Sequence, residues 1–415
     1  MDKAKPFIIA QEWFGSAFKQ VKANGGIAGV DGQTIEEFEE ELDNNLYKLW
    51  NRMSSGSYFP KPVMRVEIPK GDGGTRPLGI PTVTDRVAQT VVKTYLEPGL
   101  EEVFHQDSYG YRLRRSAVEA VGVARKRCWR YDWVLDLDIK GFFDSIDHEL
   151  MMRAVRKHTE EKWVLLYMER WLTAPVAYED GRLEERGKGT PQGGVISPLL
   201  ANLFLHYAFD AWITEEYPHI PFERYADDII CHCKSQRQAK WLHARIEERF
   251  ARCKLALNRE KTTTVYCKDD DRRGDYPNQK FDFLGFTFRP RRAKDRKGKY
   301  FVSFLPAVSN KAAKAMRQAM RKLGLHRRSH SDLEDLARLI NPVTRGWINY
   351  YGSYYRSALY PVCEHLDLTL ARWATRKFKR FRGRFGKAVK WLRGIRQEQP
   401  GLFSHWRLMG ASAGR

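Results

Sequence analysis

Apolar residues recur with a period of two in three stretches of the chain, which predicts strands. Over residues 133–138 they alternate with a set that includes Asp136 and Asp138, so both aspartates lie on one face of the predicted strand. Residues 64–68 alternate in the same way and lead through a glycine-rich turn into another short extended segment. Aromatic residues alternate over 281–288, as expected for one limb of a hairpin.

Elsewhere the apolar residues follow a helical period. The stripe over residues 35–49 predicts a helix, and Thr34 with Glu37 has the spacing of an N-terminal capping box. Further helices are predicted from near Thr84, over 235–253, and throughout the basic region after residue 306. The chain therefore mixes strands with helices and ends in a helical region.

Two adjacent aspartates, Asp227 and Asp228, stand in the middle of a β-branched and aromatic run that begins at Phe222. Such a run with two polar residues at its centre predicts a tight hairpin. Neighbouring strand residues point to opposite faces, so the two carboxylates act together only if a turn intervenes. Carboxylates are costly to bury, and their oxygens are good ligands for divalent cations. The hairpin is therefore a candidate cation site, with a solvated turn as the alternative.

Asp138 ends its predicted strand just before a glycine turn, which makes it the natural third carboxylate for the Asp227–Asp228 pair. Lys70 and Arg76, on the two limbs of the glycine-rich turn, carry the charge needed to hold a phosphate. Solvation alone also explains such a basic turn. The other aspartates near Asp138 have simpler explanations as surface or helix-capping groups: Asp136, Asp144 and Asp147.

Two further stretches point to ligand contact. Gly193 and Gly194 lie in an irregular loop and permit a ligand to approach the backbone closely. Residues 108–116 interleave tyrosines with arginines, a pattern suited to nucleic acid, although Tyr109 and Tyr111 are equally explained as core residues.

The net charge is concentrated in one part of the chain. The 415 residues carry 72 Lys and Arg against 51 Asp and Glu, a net charge of +21. Residues 291–415 alone carry 29 Lys and Arg against 7 Asp and Glu, so the preceding residues are close to neutral. This asymmetry predicts a polyanion-binding region beside a metal-dependent site. A solvated amphipathic bundle, or binding to a membrane surface, is the competing explanation.

The cysteines and the hydropathy exclude several classes of protein. The six cysteines show no paired spacing, which argues against a disulfide framework or a zinc site. Cys231 and Cys233 flank His232, and alternation on one strand explains them better than metal binding does. No signal peptide and no run of about 18 apolar residues is present, so we expect a cytoplasmic protein without a membrane partner.

Four motifs, in this order, resemble those of reverse transcriptases, specifically the group II intron-encoded kind. The resemblance covers nearly the whole chain, and segments 254–262, 283–286 and 345–351 also fit it. It implies a right-hand polymerase of the α+β class with fingers, palm and a helical thumb that serves as the maturase domain. The four motifs are Pro-Lys-Gly to Leu-Gly-Ile-Pro (69–81), Leu-Asp-Ile-Lys-Gly-Phe-Phe-Asp-Ser-Ile (137–146), Gly-Thr-Pro-Gln-Gly-Gly-Val-Ile-Ser-Pro-Leu-Leu-Ala-Asn (189–202) and Tyr-Ala-Asp-Asp (225–228).

The resemblance also implies domain boundaries and a metal site. Residues 1–60 would form an N-terminal extension that binds template and intron RNA, residues 61–290 the fingers and palm, and residues 291–415 the thumb and maturase domain. The catalytic carboxylates of the family hold two Mg²⁺ ions, for which Mn²⁺ can substitute, and a backbone carbonyl is a further ligand. The matching positions are Asp138, Asp227 and Asp228, with Ile139 for the carbonyl.

The remaining candidate residues surround the incoming dNTP. Lys70 and Arg76 match finger residues that neutralise its triphosphate, and Lys261 is a further candidate for that contact. Phe143 matches an aromatic gate whose bulk excludes the 2′-hydroxyl of a ribonucleotide. Gln192 matches a residue that lines the nucleotide pocket.

As a member of this family, the protein would copy an RNA template from a DNA primer. It would also bind group II intron RNA to promote splicing, and a DNA target for retromobility by target-primed reverse transcription. Many members continue into Cys/His-rich endonuclease segments that this sequence lacks, so we expect the priming nick to come from elsewhere. A nucleoid-associated bacterial protein, as monomer or homodimer, fits these expectations.

Two alternatives stay open at the level of sequence. A domesticated reverse transcriptase, serving defence or DNA repair without an intron, would keep every catalytic residue. A non-catalytic RNA-binding maturase would have lost the polymerase chemistry, against which the intact carboxylates and glycine loop argue.

Overall fold

The structure is a computed structural model that describes residues 5–69, 74–295 and 297–410. The chain folds into two compact units, each assembled from two separate segments. The first unit takes Met1–Ala120 and Val134–Thr264, and the second takes Val121–Trp133 and Val265–Arg415.

Local sequence signals explain where several helices begin. The Thr34 side chain accepts a hydrogen bond from the Glu37 N–H while the Glu37 carboxylate accepts one from the Thr34 N–H, which confirms the predicted capping box. Asp147 caps the helix that follows it by accepting from the Leu150 N–H at 2.9 Å. The helices are α1 (Glu12–Asn24), α2 (Ile35–Glu40), α3 (Leu42–Ser55), α4 (Val83–Val103), α5 (Ala117–Cys128), α6 (Phe142–Ser145), α7 (His148–Arg156), α8 (Lys162–Thr173), α9 (Ser197–Leu205), α10 (Ala211–Glu216), α11 (Gln236–Arg252), α12 (Asn310–Lys322), α13 (Leu333–Tyr351), α14 (Tyr360–Lys377), α15 (Phe385–Glu398) and α16 (Ser404–Gly410).

The strands form separate sheets. One sheet has the order β2-β1-β4-β5, in which β1 pairs antiparallel with β2 and parallel with β4. A second has the order β6-β7-β3-β8, with β6 and β7 antiparallel, and a third has the order β11-β10-β9. The strands are β1 (Val63–Pro69), β2 (Thr75–Ile80), β3 (Trp133–Asp138), β4 (Val176–Ala177), β5 (Leu183–Glu184), β6 (Phe222–Tyr225), β7 (Asp228–Cys233), β8 (Thr263–Tyr266), β9 (Phe281–Phe283), β10 (Phe286–Lys294) and β11 (Tyr300–Val308).

The second unit packs helices α12–α16 around a large apolar core beside the β9–β11 sheet. Trp373 and Trp406 are among the largest fully buried side chains of that core. The segment 121–133 belongs to this unit because Arg272 holds it: the guanidinium pairs with Asp132 at 2.7 Å and donates to the Cys128 carbonyl at 3.0 Å.

The structure differs from the predicted elements in a few places. The stripe over 35–49 is two helices, because the backbone leaves the helical region at Glu41 (φ −118°, ψ 43°). The aromatic run 281–288 is itself a hairpin, β9 and β10, which turns at Leu284 with φ 51°. The last strand also continues to Val308, so the helical region begins slightly later than predicted.

In the part of the chain that the structure describes, no helix is long and apolar enough to cross a membrane.

Candidate active site

The aspartate pair lies at the tip of the predicted hairpin. Strands β6 and β7 pair up to Tyr225 and Asp228, which leaves Ala226 and Asp227 as the turn. Ala226 has φ 55°, in the left-handed region that favours glycine. Asp227 therefore lies in a tight turn and Asp228 opens the next strand, which is the arrangement that lets adjacent carboxylates act together.

A buried ion pair between Arg224 and Asp210 stabilises this turn. Arg224, in β6, donates to both carboxylate oxygens of Asp210, at 2.7 and 2.5 Å, and both side chains are fully buried. The same guanidinium donates to the Asn202 side-chain oxygen and to the Ala226 carbonyl, each at 3.0 Å. Asp210 ends a π-helical turn, His206–Asp210, between α9 and α10. Because a buried guanidinium with fixed partners is rigid, the hairpin turn is fixed to the helices beneath it.

The segment around Gly110 packs against the same turn. The Asn202 side chain donates to the Gly110 carbonyl at 2.6 Å, and the Tyr109 N–H donates to the Arg224 carbonyl at 2.8 Å. A Cβ added at Gly110 would collide with the backbone nitrogen of Ala226. Only glycine permits this close approach.

The two tyrosines of this segment have different environments. Tyr109 is 2% exposed and its hydroxyl donates to Asp107, so the core explanation holds for it. Tyr111 is 50% exposed and its ring centroid lies 6.4 Å from that of Tyr225. Tyr111 is the tyrosine that stays available for stacking on a ligand.

Asp138 ends β3, the strand next to β7 in the sheet. The Nζ of Lys261 lies 3.6 Å from its Oδ2. Burial, reinforced by the negative charge of Asp138, raises the pKa of Asp227, while Arg76 and Arg224 act in the opposite direction. Asp138 thus interacts electrostatically with Asp227 on one side and with Lys261 on the other.

The backbone after Asp138 pairs with the segment around Leu257. Ile139 and Leu257 form an isolated antiparallel pair, and the Asn258 N–H donates to the Asp138 carbonyl at 2.8 Å. The N–H of Lys140 donates to the Ala256 carbonyl at 2.9 Å. In this pattern the N–H and carbonyl of Ile139 point away from its partner strand.

Two of the predicted nucleotide residues, Arg76 and Gln192, meet at strand β2. The Arg76 Nε donates to the Gln192 side-chain oxygen at 2.5 Å, and the Gly79 N–H donates to the Gln192 carbonyl at 2.6 Å. Gly193 has φ 113°, and a Cβ there would lie 2.6 Å from the Gly79 carbonyl oxygen. Lys70 lies outside the described residues.

Phe143 lies in the short helix α6 and is 7% exposed. Its ring packs edge-on against Phe142 with centroids 5.4 Å apart, and its carbonyl accepts from the Thr190 N–H at 2.8 Å. The backbone of Phe143 is thereby tied to the glycine loop that carries Gln192.

The aromatic residues of the basic region divide between core and surface. Trp373 and Phe381 are buried, whereas Phe385 is 38% exposed. The Arg380 guanidinium lies 4.7 Å from the Phe381 ring centroid. The aromatics therefore build the amphipathic bundle, and the basic side chains are what it offers to a polyanion.

The candidate metal ligands are all oxygen atoms, which hard divalent cations prefer. Across the described residues, no three or more His, Cys, Asp and Glu side chains are gathered closely enough to hold a metal ion. Two of the predicted ligands do interact, since burial and, in addition, the negative charge of Asp138 raise the pKa of Asp227. A divalent cation between these two carboxylates would offset their repulsion, so the residues fit a divalent cation.

Sequence reasoning missed the residues that support the turn: Arg224, Asp210 and Asn202. The sequence did contain a signal for this pair. Arg224, in the run that leads to the hairpin, and Asp210, in the apolar stretch after Pro198, are opposite charges in apolar surroundings. Two such charges are expected to be partners, since unpaired charges are rarely buried.

The chain matches models of two known protein families. The model of the reverse transcriptase (RNA-dependent DNA polymerase) family matches residues 68–288, slightly more than half of the chain. The model of the group II intron, maturase-specific domain matches residues 313–391.

Individual proteins are also similar to this chain. Protein YkfC of Escherichia coli (strain K12) is 31% identical over 309 residues, which cover 63% of this chain and 79% of YkfC. Group II intron-encoded protein LtrA of Lactococcus lactis subsp. cremoris is 32% identical over 203 residues, which cover 48% of this chain and 33% of LtrA. Putative COX1/OXI3 intron 1 protein of Saccharomyces cerevisiae is 29% identical over 201 residues, covering 48% of this chain and 24% of that protein. The matched region is thus a third or less of the length of the two intron proteins.

Proposed function

The chain belongs to the reverse transcriptase family and carries a group II intron maturase-specific domain, and we propose that it polymerises DNA on an RNA template with Asp138, Asp227 and Asp228 as catalytic carboxylates. The observation that carries this proposal is the hairpin tip: a buried Arg224 fixes the turn that holds Asp227, and the strand that follows the turn is the neighbour of the strand that ends in Asp138.

The family depends on divalent cations, and we propose two Mg²⁺ ions here, with Mn²⁺ as a substitute. When bound, they would lower the pKa of the primer 3′-hydroxyl and offset negative charge on the α-phosphate. The protein supplies the three aspartates as ligands, and the Ile139 carbonyl as a further one. The partial burial of Asp227 strengthens the Coulomb attraction between its carboxylate and a cation.

The other residues position the incoming dNTP. Arg76, held by Gln192 at 2.5 Å, and Lys261, 3.6 Å from Asp138, carry the positive charge that a triphosphate needs on either side of the carboxylates. Lys70 is proposed for the same task from the sequence. Gln192 itself lines the nucleotide pocket, and its backbone is fixed to Gly79.

We propose further that the maturase-specific domain binds group II intron RNA, and that the protein serves splicing and target-primed mobility at a DNA target in the nucleoid. The basic side chains on the second unit support a large polyanionic partner. LtrA and the yeast protein are both named after introns, which supports the same partner.

Primer extension tests the polymerase. The purified protein, an RNA template, a DNA primer and dNTPs are combined with Mg²⁺, with Mn²⁺, or with a chelator. We expect template-directed DNA synthesis with either ion and none with the chelator. A protein that binds the RNA but never extends the primer would be a non-catalytic maturase.

Sequencing of the RNA that co-purifies from the native host tests the intron partner. One dominant structured RNA, recovered as a lariat that contains the open reading frame, is expected. A different small RNA, or none, would leave the polymerase in place and indicate a domesticated enzyme in defence or repair.

Replacing Phe143 with Ala should admit ribonucleotides. The ring is packed against Phe142 and the backbone carbonyl of Phe143 is bonded to the glycine loop, so the ring cannot move aside for a 2′-hydroxyl. We expect the preference for dNTP over rNTP, measured as the ratio of kcat/KM, to fall about 100-fold, or about 3 kcal/mol. Phe385→Ala, which removes an exposed aromatic ring in the second unit, is the control. Unchanged discrimination in Phe143→Ala would remove this residue from the gate.

A further inference from the structure

Helices α12 and α14 pack side by side in the second unit. Met316 of α12 belongs to the same apolar cluster as Val362 and Cys363 of α14. One turn further along, Met320 belongs to the same core as Leu366. Successive turns of α12 therefore lie against successive turns of α14, and the residues beside these apolar contacts form a common surface along the two helices.

Four basic side chains lie along this surface. Arg317 and Arg321 are four residues apart on α12, so they share one face of that helix. His365 and Arg372 are seven residues apart on α14, which again places them on one face. The positive charges of all three arginines act on the imidazole of His365. The four side chains thus form one group, which we call the His365 cluster.

The His365 cluster has no carboxylate of its own. In the part of the chain that the structure describes, none of its three arginines forms an ion pair with Asp or Glu. Asp367 is bound to α16 instead, since it accepts from His405 Nε2 and Trp406 Nε1, each at 2.7 Å. Glu364 is exposed and adjacent to His365 in sequence, and adjacent helical residues do not face each other. The cluster is therefore a self-repelling positive surface that favours an anionic partner.

Protonation of His365 is coupled to these charges. Burial, and then the charges of Arg321, Arg317 and Arg372, lower the pKa of His365. A phosphate held by the arginines would offset their charges and raise this pKa again. Because the pKa is then higher in the complex than in the free protein, binding takes up a proton between the two values. Affinity for phosphate rises as the pH falls through the pKa of the complex and levels off below the pKa of the free protein.

The position of the cluster in the sequence identifies the source of the phosphate. The whole cluster lies within residues 313–391, which match the group II intron, maturase-specific domain, whereas the reverse transcriptase match ends at residue 288. Arginine forks bind the oxygens of a phosphodiester, and a protonated imidazole donates from both nitrogens. Arg321 and Arg372 are exposed, so a large polyanion can reach them.

We propose that the His365 cluster binds backbone phosphates of the intron RNA, and that His365 takes up one proton as the RNA binds. This rests on the proposed binding of intron RNA by the maturase-specific domain. The two proposals fail differently. A protein that binds no structured RNA at any pH would contradict both, whereas RNA binding without a proton linked to His365 would contradict this one alone.

Fluorescence anisotropy with a labelled RNA hairpin, without metal or dNTP and at constant ionic strength, measures Kd from about pH 8 to about pH 5. We expect Kd to fall about tenfold over this range, the effect of a difference of about one unit between the two pKa values. In His365→Gln, whose side chain stays neutral, we expect Kd to change less than about twofold. Equal pH dependence in His365→Gln and the parent would overturn the proposal.

His330→Gln is the matched control, because His330 is an exposed histidine of the same domain outside the cluster. We expect it to keep the pH dependence of the parent. Thermal unfolding at both ends of the pH range verifies that each variant is folded. Loss of the pH dependence in His330→Gln, with His365→Gln like the parent, would assign the proton to another site and contradict the proposal.

Arg321→Gln tests the phosphate contact. We expect Kd to rise about tenfold, and the slope of log Kd against log salt to fall by about 0.7 to 0.9 as one phosphate contact is lost. The pH dependence should also move to higher pH, because the arginine with the largest effect on His365 is gone. Arg338→Gln is the control, since Arg338 is exposed and already paired with Asp335. An unchanged salt slope in Arg321→Gln would remove the cluster from the RNA interface.

The same titrations with an RNA–DNA primer–template duplex distinguish the intron RNA from the polymerase substrate. We expect His365→Gln to change the pH dependence for the RNA hairpin and not for the duplex. A change confined to the duplex would show that the cluster holds the substrate of DNA synthesis, and it would overturn the assignment to intron RNA.

Discussion

Replacing Asp227 with Asn should lower kcat for RNA-templated DNA synthesis about 1000-fold, or about 4 kcal/mol of transition-state stabilisation. The change keeps the size of the side chain but removes the charge in a partly buried turn next to Asp138. A neutral amide binds divalent cations weakly, and the charge that develops at the phosphate loses its counter-ion. Steady-state primer extension at saturating dNTP measures the effect.

RNA affinity should be equal or slightly tighter in the same variant, because the carboxylate opposes rather than supports the binding of a polyanion. Asp43→Asn provides the matched control, since Asp43 is an exposed residue of α3 and loses the same charge. If Asp227→Asn extended primers within a few-fold of the parent, the hairpin would not be the catalytic centre.

Replacing Arg224 with Met should destabilise the first unit by about 3–5 kcal/mol, because Asp210 is then a buried charge without its partner. The double change to Arg224→Met and Asp210→Leu should recover most of this loss, since apolar side chains of similar volume can replace a buried pair. Urea unfolding, with the slope compared between variants, measures both.

Catalysis should not recover in that double variant. The Ala226 carbonyl has lost the donor at 3.0 Å that fixes the turn, so Asp227 is less well positioned. We expect the Mg²⁺ concentration for half-maximal activity to rise about 10–100-fold, the effect typical of residues that orient metal ligands. A well-folded double variant with the parent's Mg²⁺ dependence would show that the pair serves stability alone.

The local elements of the site were predictable because they depend on neighbours in sequence. Alternation of side chains predicted the strand that ends in Asp138, and a polar pair in an apolar run predicted the hairpin of Asp227 and Asp228. The capping box at Thr34 depends on residues three apart and was also correct.

The sequence carried a signal that Arg224 and Asp210 are partners, but the geometry of the supporting contacts was not predictable, because they join positions that are distant in sequence. Nothing in a linear pattern says that Arg224 bonds Asp210 and Asn202 simultaneously, or that Gly110 lies against the hairpin turn. The sequence also did not predict that Tyr109 is buried while Tyr111 is half exposed, because the exposure of each ring depends on which distant residues pack against it. The domain boundaries at 60 and 290 stay predictions.

The division of each unit into two segments has a consequence for synthesis on the ribosome. Residues 121–133 are made long before Arg272, the residue that binds Asp132 and the Cys128 carbonyl. At about 5–20 residues per second, the nascent segment waits on the order of ten seconds for its partner. No single cut in the chain can therefore separate the two units intact. A fragment that ends before residue 265 would contain residues 121–133 without the rest of the second unit, and only co-expression of both fragments or a permuted gene would supply it.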